Sequence, residues 1–484
     1  VTGGSMRRGR RLDVRELAEF VAALSAAQTG ETRPGPTEVY LLGTGPVADA
    51  CAQRLRDGLV PFGFRVVALD DGRPEVRAVS AHRPGPWAAW DAEELDGLIE
   101  DVQAERVAHW AQSAAARPRI RTLHRPGSDS IGVIEFDCAA GRLVAKVGPQ
   151  DVMLEEQEHV LRAHAAGAPI FPAPRGFEAR DGVAVRLMDA VTDGAFVDRV
   201  FCRDPDGLLR ADPAGVPALD GHLRVLTEWY ADTLTEGEPQ VAAYLYTERL
   251  HRLPETEACR RVGESVLGAA AYRQAFSRPV VLPDGSRSSY AELVAWVRDT
   301  YPQWRPLRSA VVHGDIFTSN LMWGQAGEPR FIDPRSAWDG AAQAVAGHGD
   351  PVFDLGTLLH AVSPMVTLLD AVGRGQEELV SPSVGPDSEG ELDARDLVST
   401  EDCPARAVYL DRAARLMAGW ADPGAPVRMH LASACSLLGW LKYPKVVRTP
   451  GIWWAVFLAV VADLARARRV HEGLDPVFTH DGPR

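Results

Sequence analysis

The sequence predicts an α+β chain of two lobes, one small and β-rich and one larger and helical, preceded by a small α/β domain. Three observations lead there. Between about residues 118 and 150 short apolar stretches, IRTLHRP, SIGVIEFD and RLVAKVG, are separated by turn formers such as Gly127 and the AAG turn at 139–141. From about residue 193 the apolar spacing is mainly helical, interrupted by one β-rich island between 309 and 334. Ahead of both, VYLLG, then GTGPVADACAQRLRDGL, then FRVVALDD read as strand, turn with helix, and strand.

Taken in order, Asp13 caps a first helix whose Leu17, Phe20, Val21 and Leu24 share a face, and QTGETRPGPT at 28–37 is a linker. The strand–helix–strand unit follows. Its Gly43, Gly45 and Ala48 have the spacing G-x-G-x-x-A, and Asp70 or Asp71 ends the second strand, where a dinucleotide ribose would be held. The stretch is too short for a full doubly wound sheet, so a degenerate unit for docking or packing is preferred to an oxidoreductase domain. A helix from Trp90 to Trp110 carries Leu95, Leu98, Ile99 and Val102 along one stripe. After the three short strands come a helix from about Val152 to Ala166, closed by an FPAP turn, and a further strand VAVRLMDA. The resulting division is 1–117 for the accessory domain, 118–192 for the β-rich lobe and 193–484 for the helical lobe. Residues 373–404, rich in Gly, Ser and Pro with nine carboxylates, are expected to form a solvated loop.

Composition narrows the function. A formal charge of -14 and a pI of 5.5 disfavour a broad nucleic-acid surface. The six cysteines are scattered with no CxxC pair, which fits reduced thiols in a cytoplasm and no structural zinc. The most apolar stretch, Ile452 to Val461, is too short to span a bilayer and reads as a buried helix, so no membrane partner is expected. The opening VTGGSMRRGRR has arginines but no apolar segment of the kind that a secretion signal needs.

The chemistry concentrates in VVHGDIFTSNLMW at 311–323. An apolar strand delivers His313, Gly314 and Asp315, and Asn320 follows five residues after the aspartate. Phosphoryl transfer demands little covalent work from a protein: it must position an acceptor hydroxyl, neutralise phosphates through magnesium and hold both in line. Asp315 can accept or orient the hydroxyl proton. Asn320 can offer an amide oxygen to magnesium, and Asp333, at the end of the strand RFIDPR, a second hard oxygen.

HGDIFTSN, followed by FIDP and by GDPVFDLG at 349–356, resembles the aminoglycoside phosphotransferase and choline kinase family, relatives of the protein kinases. The resemblance covers about residues 120–484 and implies a protein-kinase-like bilobal fold using ATP or GTP with Mg2+. It places the catalytic role on Asp315, magnesium binding on Asn320 and Asp333, and support of the catalytic loop on Asp354, with His313 beside it. It also implies a lysine that grips the α and β phosphates, matched by Lys146 in RLVAKVG, and a helix glutamate that holds it. Glu155, Glu156 and Glu158 are available, and Glu158 is chosen. The turn PGSDSIG, with Gly127 and Ser128, is expected to cover the triphosphate, and backbone groups from Met188 to Ala190 to meet the base. Here the sequence departs from the family, which commonly has an aromatic and an acidic residue after the second aspartate; Pro334 and Arg335 stand there instead.

The acceptor is expected to be a hydroxyl of a small-molecule natural product or antibiotic. Two alternatives stand beside it. The N-terminal domain could recruit a protein or a precursor peptide for Ser or Thr phosphorylation in natural-product tailoring, or the kinase-like fold could be a catalytically silent binding subunit or scaffold. A silent relative would be expected to have lost at least one of Lys146, Asp315, Asn320 and Asp333, and all four are present.

Overall fold

A computed structural model describes residues 37–42, 46–59, 64–69, 77–80, 88–89, 119–124, 130, 132–138, 141–165, 170–180, 182–191, 195, 197–282, 284–324, 327–338, 341–342, 347–381, 392–394 and 404–475. The helix expected after Asp13, the helix from Trp90 to Trp110, the Gly43–Gly45 turn, Asp70 and Asp71 lie outside these residues. The chain divides into two compact units, Val1–Gln157 with Pro172–Ala190, and Glu158–Phe171 with Val191–Arg484.

Among the described residues the first unit holds two sheets. In one, β1 (Thr37–Leu42) runs parallel to β2 (Phe64–Leu69), with α1 (Pro46–Leu59) between them in sequence; β3 (Arg77–Ser80) and β4 (Ala88–Ala89) add antiparallel strands in the order β2-β1-β3-β4. The crossover through a helix is what allows β1 and β2 to pair in parallel. The other sheet is antiparallel, with β5 (Arg119–His124), β6 (Gly132–Cys138), β7 (Gly141–Pro149), β8 (Pro174–Arg180) and β9 (Val183–Asp189) in the order β5-β6-β7-β9-β8. Period-two alternation buries Ile134, Phe136, Leu143, Ala145, Val147, Val185 and Leu187 together on one face. The intervening residues Lys146, Ala184 and Arg186 therefore point to the other face.

The strand β8 was not expected from the sequence. Pro174 opens it and the register slips between Pro174 and Gly176, features that an edge strand tolerates and a central one does not. Between β7 and β8 runs α2 (Gln150–Ala165), whose residues from Glu158 onward belong to the second unit, because Val160 and Ala163 are buried in its core with Ile170 and Phe171.

The second unit is mainly helical. Its framework includes α3 (Val216–Thr233), α4 (Tyr290–Trp304), α5 (Pro351–His360), α6 (Ala425–Trp440) and α7 (Pro450–His471). By length and composition α7 could cross a bilayer, but Ile452–Val461 is wholly packed inside the core, as expected of a buried helix. Gly356 of α5 lets it approach α6 closely: a Cβ there would lie 2.3 Å from the Ala432 Cβ. Among these helices sit β10 (Arg308–Val311), β11 (Leu321–Trp323), β12 (Pro329–Phe331) and β13 (His348–Gly349), with β11 pairing antiparallel to β12 and β10 to β13. The region expected as a solvated loop is partly structured. Val380, Leu392 and Ala394 are buried in the core, and Leu392–Asp393 pairs in parallel with Val280–Val281.

Candidate active site

In the first unit Lys146 sits at mid-strand on β7, 7% exposed, with its Nζ 2.7 Å from Glu156 Oε2. Arg186 stands directly opposite Lys146 on β9, so both side chains rise from the same face of the sheet. Its guanidinium donates to the other oxygen of Glu156 and, through Nε, to Gln157 Oε1 at 3.0 Å. The carboxylate is thus gripped from both sides.

This corrects the choice of Glu158, which is exposed on the opposite side of α2. The helix buries Met153, Val160 and Ala163, and at 3.6 residues per turn that stripe carries positions 156 and 157 inward and turns 158 out. The apolar spacing already held this signal. Arg186 was missed as well, although strand alternation from buried Val185 and Leu187 places it on the face of Lys146.

In the stretch from Met188 to Ala190, expected to meet the base through backbone groups, two N–H groups are engaged within the first unit. Ala190 N–H donates to the Arg142 carbonyl at 3.1 Å and Asp189 N–H to that of Ala173 at 3.0 Å, while buried Met188 pairs with both Val144 and Pro174. The Asp189 and Ala190 N–H groups are therefore spent on the fold. Gly127 and Ser128 lie outside the described residues.

In the second unit β10 leads into His313, Gly314 and Asp315, and a 3-10 turn at Thr318–Asn320 returns the chain into β11. Gly314 has φ 83°, and a Cβ on it would lie 1.9 Å from the Arg335 carbonyl oxygen, so only glycine fits. The loop is fixed from beneath by Asp354, in the first turn of α5 and fully buried. It accepts hydrogen bonds from His313 N, Gly314 N and Tyr230 Oη, each at 2.7 Å. Burial pushes the Asp354 carboxyl up to about 7 against the pull of those donors.

His313 is a second strut. Its Nδ1 accepts from Asp315 N–H at 3.2 Å, which leaves Nε2–H to donate to the Ile332 carbonyl at 2.8 Å. Burial lowers its pKa to about 4, so the ring stays neutral and links Asp315 to the backbone beside Asp333.

Asp315, Asn320 and Asp333 are all half-buried, and their backbones are tied together. Asn320 Nδ2 donates to the Asp315 carbonyl at 3.0 Å, which orients its Oδ1 away from that bond. Ile332 N donates to the Asn320 carbonyl at 2.9 Å and carries the β11–β12 pairing to the residue before Asp333. Asp333 itself has φ 58°, a left-handed conformation costly for a residue other than glycine. Arg335, the departure from the family pattern, places its Nε 3.7 Å from Asp315 Oδ2, and its backbone N–H donates to the His313 carbonyl at 2.8 Å. Two oxygen donors of this kind suit a hard cation that fills its remaining positions with water and phosphate oxygens. Among the described residues no cluster of three or more His, Cys, Asp or Glu could hold a metal ion.

Solved structures similar to the chain include an ethanolamine kinase from Plasmodium vivax (10% identity, 74% of this chain and 83% of that one, TM-score 0.42). Others are a thermostable mutant of aminoglycoside phosphotransferase APH(4)-Ia (15%, 74% and 96%, 0.39) and aminoglycoside phosphotransferase APH(3'')-Id from Streptomyces rimosus (16%, 64% and 98%, 0.28). No curated protein matches. The profile of the phosphotransferase enzyme family (APH) matches residues 133–388, which include Lys146, Asp315, Asn320, Asp333 and Asp354. That is more than half of the chain, and this protein belongs to the phosphotransferase enzyme family, kinase-type enzymes that act on hydroxyl groups.

Proposed function

We propose that this enzyme transfers the γ-phosphoryl group of ATP or GTP, with Mg2+, to a hydroxyl of a small-molecule natural product or antibiotic. The observation that carries the reading is the loop on which Asp315 is held, its amides clamped by Asp354 and its carbonyl tied to Asn320. Asp315 orients the acceptor hydroxyl and takes its proton. Asn320 Oδ1 and the Asp333 carboxylate would hold magnesium, which when bound neutralises charge on the phosphates. Lys146, kept in place by Glu156, binds the α and β phosphates. We read 1–117 as an accessory domain, 118–192 as the nucleotide-binding lobe and 193–484 as the acceptor-binding lobe, and place the enzyme in the cytoplasm, where nucleoside triphosphates are supplied.

A peptide acceptor is the second reading. The family profile begins only at residue 133, and the strand–helix–strand unit that precedes it is surplus to small-molecule chemistry. An acceptor screen that follows nucleoside diphosphate release, run with small alcohols and with Ser- or Thr-bearing peptides, separates the two. With Asp315→Ala as the blank, turnover is expected to fall at least about a hundredfold. Full turnover in that variant would remove Asp315 from its role.

A further inference from the structure

We propose that the acceptor lays a planar apolar face on a row of aromatic rings beginning two residues beyond Asp315, and that it is neutral or anionic, not a polycationic amino sugar. This inference rests on the phosphotransferase reading above and deepens it.

The row lies within the helical unit. Phe317 stacks on His360 with ring centroids 5.7 Å apart and planes at 27°, and its centroid is 5.3 Å from that of Trp440; Tyr443 follows at 5.7 Å from Trp440. A purely structural row would be sealed into the core. Phe317, Trp440 and Tyr443 are instead only half-buried, packed against the core on one side.

Trp440 Nε1–H donates to Nε2 of the buried His360 at 3.3 Å. Only an unprotonated Nε2 can accept that bond, and burial lowers the His360 pKa to about 4, so the arrangement holds throughout the neutral range. With its single polar atom tied inward, Trp440 has only apolar surface left to present. Such rings bind planar or hydrocarbon faces through area and dispersion, with little dependence on a particular hydrogen-bond pattern.

Charge sets the sign of the ligand. Lys442 carries its Nζ 5.4 Å from the Tyr443 ring centroid, which places a cation where a ligand ammonium would otherwise sit. Arg335 lies 3.7 Å from Asp315, two residues before Phe317, and offsets the charge of that carboxylate. An amino sugar brings several positive charges and no extended apolar face, so it is mismatched on both counts.

The test uses three alcohols that share one ring and differ in the charge of the para substituent, 4-(hydroxymethyl)benzoate, benzyl alcohol and 4-(hydroxymethyl)benzylamine, with glucosamine as the amino sugar, each assayed for diphosphate release and for quenching of tryptophan fluorescence. We expect kcat/KM for the benzoate to exceed that for the benzylamine by about fivefold or more, with glucosamine the poorest. Trp440→Leu should raise KM for the aromatic alcohols on the order of tenfold with little change in kcat. Lys442→Glu, a half-buried surface change that keeps the test open if Trp440→Leu does not fold, should reverse the preference between benzoate and benzylamine. Higher kcat/KM for glucosamine than for every aromatic alcohol, no quenching and no turnover with any of them, or charge preference unmoved by Lys442→Glu would each overturn the proposal. The rise in Tm with Mg·ATP is measured in parallel. If it is absent, the phosphotransferase reading falls and this inference with it; if it is present without the aromatic preference, this inference alone falls.

Discussion

Arg186 faces Lys146 across two neighbouring strands, and both cations converge on the one carboxylate of Glu156. Two buried positive charges share a single negative one, and Gln157 contributes only an amide oxygen. Within this cluster the cations outnumber the carboxylate by one, which holds Lys146 in position without cancelling its charge toward a polyphosphate.

Glu156→Gln should consequently be severe. Removing the carboxylate that two buried cations share costs about 3–5 kcal/mol, as for other broken buried pairs, whereas Glu158→Gln on the exposed side should stay within about 0.5 kcal/mol of the parent. Urea unfolding of the two variants measures this, and the KM for nucleotide should rise only in Glu156→Gln. Equal effects at the two positions would show that the ion pair is not what fixes Lys146.

The clamp beneath the catalytic loop gives a second expectation. Asp354→Ala removes the acceptor of three buried donors and should cost about 3 kcal/mol or more, at roughly 1–3 kcal/mol for each donor left unsatisfied. Asp354→Asn keeps one acceptor oxygen but turns an NH2 toward amides that already donate, so it should not rescue. Gly314→Ala should lower kcat at least about a hundredfold, because its Cβ would displace the Arg335 carbonyl and a misplacement of about 1 Å can cost that much. Circular dichroism alongside steady-state kinetics separates loop displacement from unfolding.

Much of this was legible in advance, for definable reasons. Strand alternation and turn residues found β6, β7 and β9, and the run HGDIFTSN with its following FIDP located Asp315, Asn320 and Asp333 because local spacing alone brings them to one hairpin. Glu156 was legible but misread: the choice of Glu158 ignored the buried stripe of Met153 and Val160. Tyr230, by contrast, reaches Asp354 from 124 residues away along the chain, and no local pattern encodes such a pairing. Strand β8 escaped because Pro174 and Gly176 look like turn residues until an edge position explains them. The aromatic row is of the same long-range kind, since Phe317, His360 and Trp440 meet only through the packing of three separate segments.

Asp333 offers a test in which stability and activity part company. Its φ of 58° costs about 1–2 kcal/mol for a residue with a Cβ, a penalty that persists where function requires the side chain. Asp333→Gly removes the strain and is expected to raise the unfolding free energy by up to about 1 kcal/mol, while abolishing phosphoryl transfer and the rise in Tm with Mg·ATP. A variant that is destabilised, or that keeps the magnesium-dependent shift, would mean that the carboxylate acts chiefly within the fold.

Acid should loosen the helical unit through its buried histidines. Burial lowers the pKa values of His222, His313 and His360 to about 4 and that of His430 to about 3, against 6.5 for an unperturbed imidazole. Between those values and 6.5 the unfolded chain binds protons that the folded chain refuses, so the slope of stability with pH is positive in that window. Stability is fully present above about pH 6.5 and is lost as pH falls toward 4, by about 1 kcal/mol for each histidine between pH 7 and 5.5. Asp354 works the other way. With its carboxyl raised to about 7, the folded form holds a proton that the unfolded one releases, and acidification across the same interval favours the fold through that group. Four groups oppose one, so the net expectation is a urea midpoint clearly lower at pH 5.5 than at pH 7.5. Proton NMR of the four rings should show neutral imidazoles down to about pH 5, and a midpoint that rises on acidification would mean that the carboxyl outweighs them.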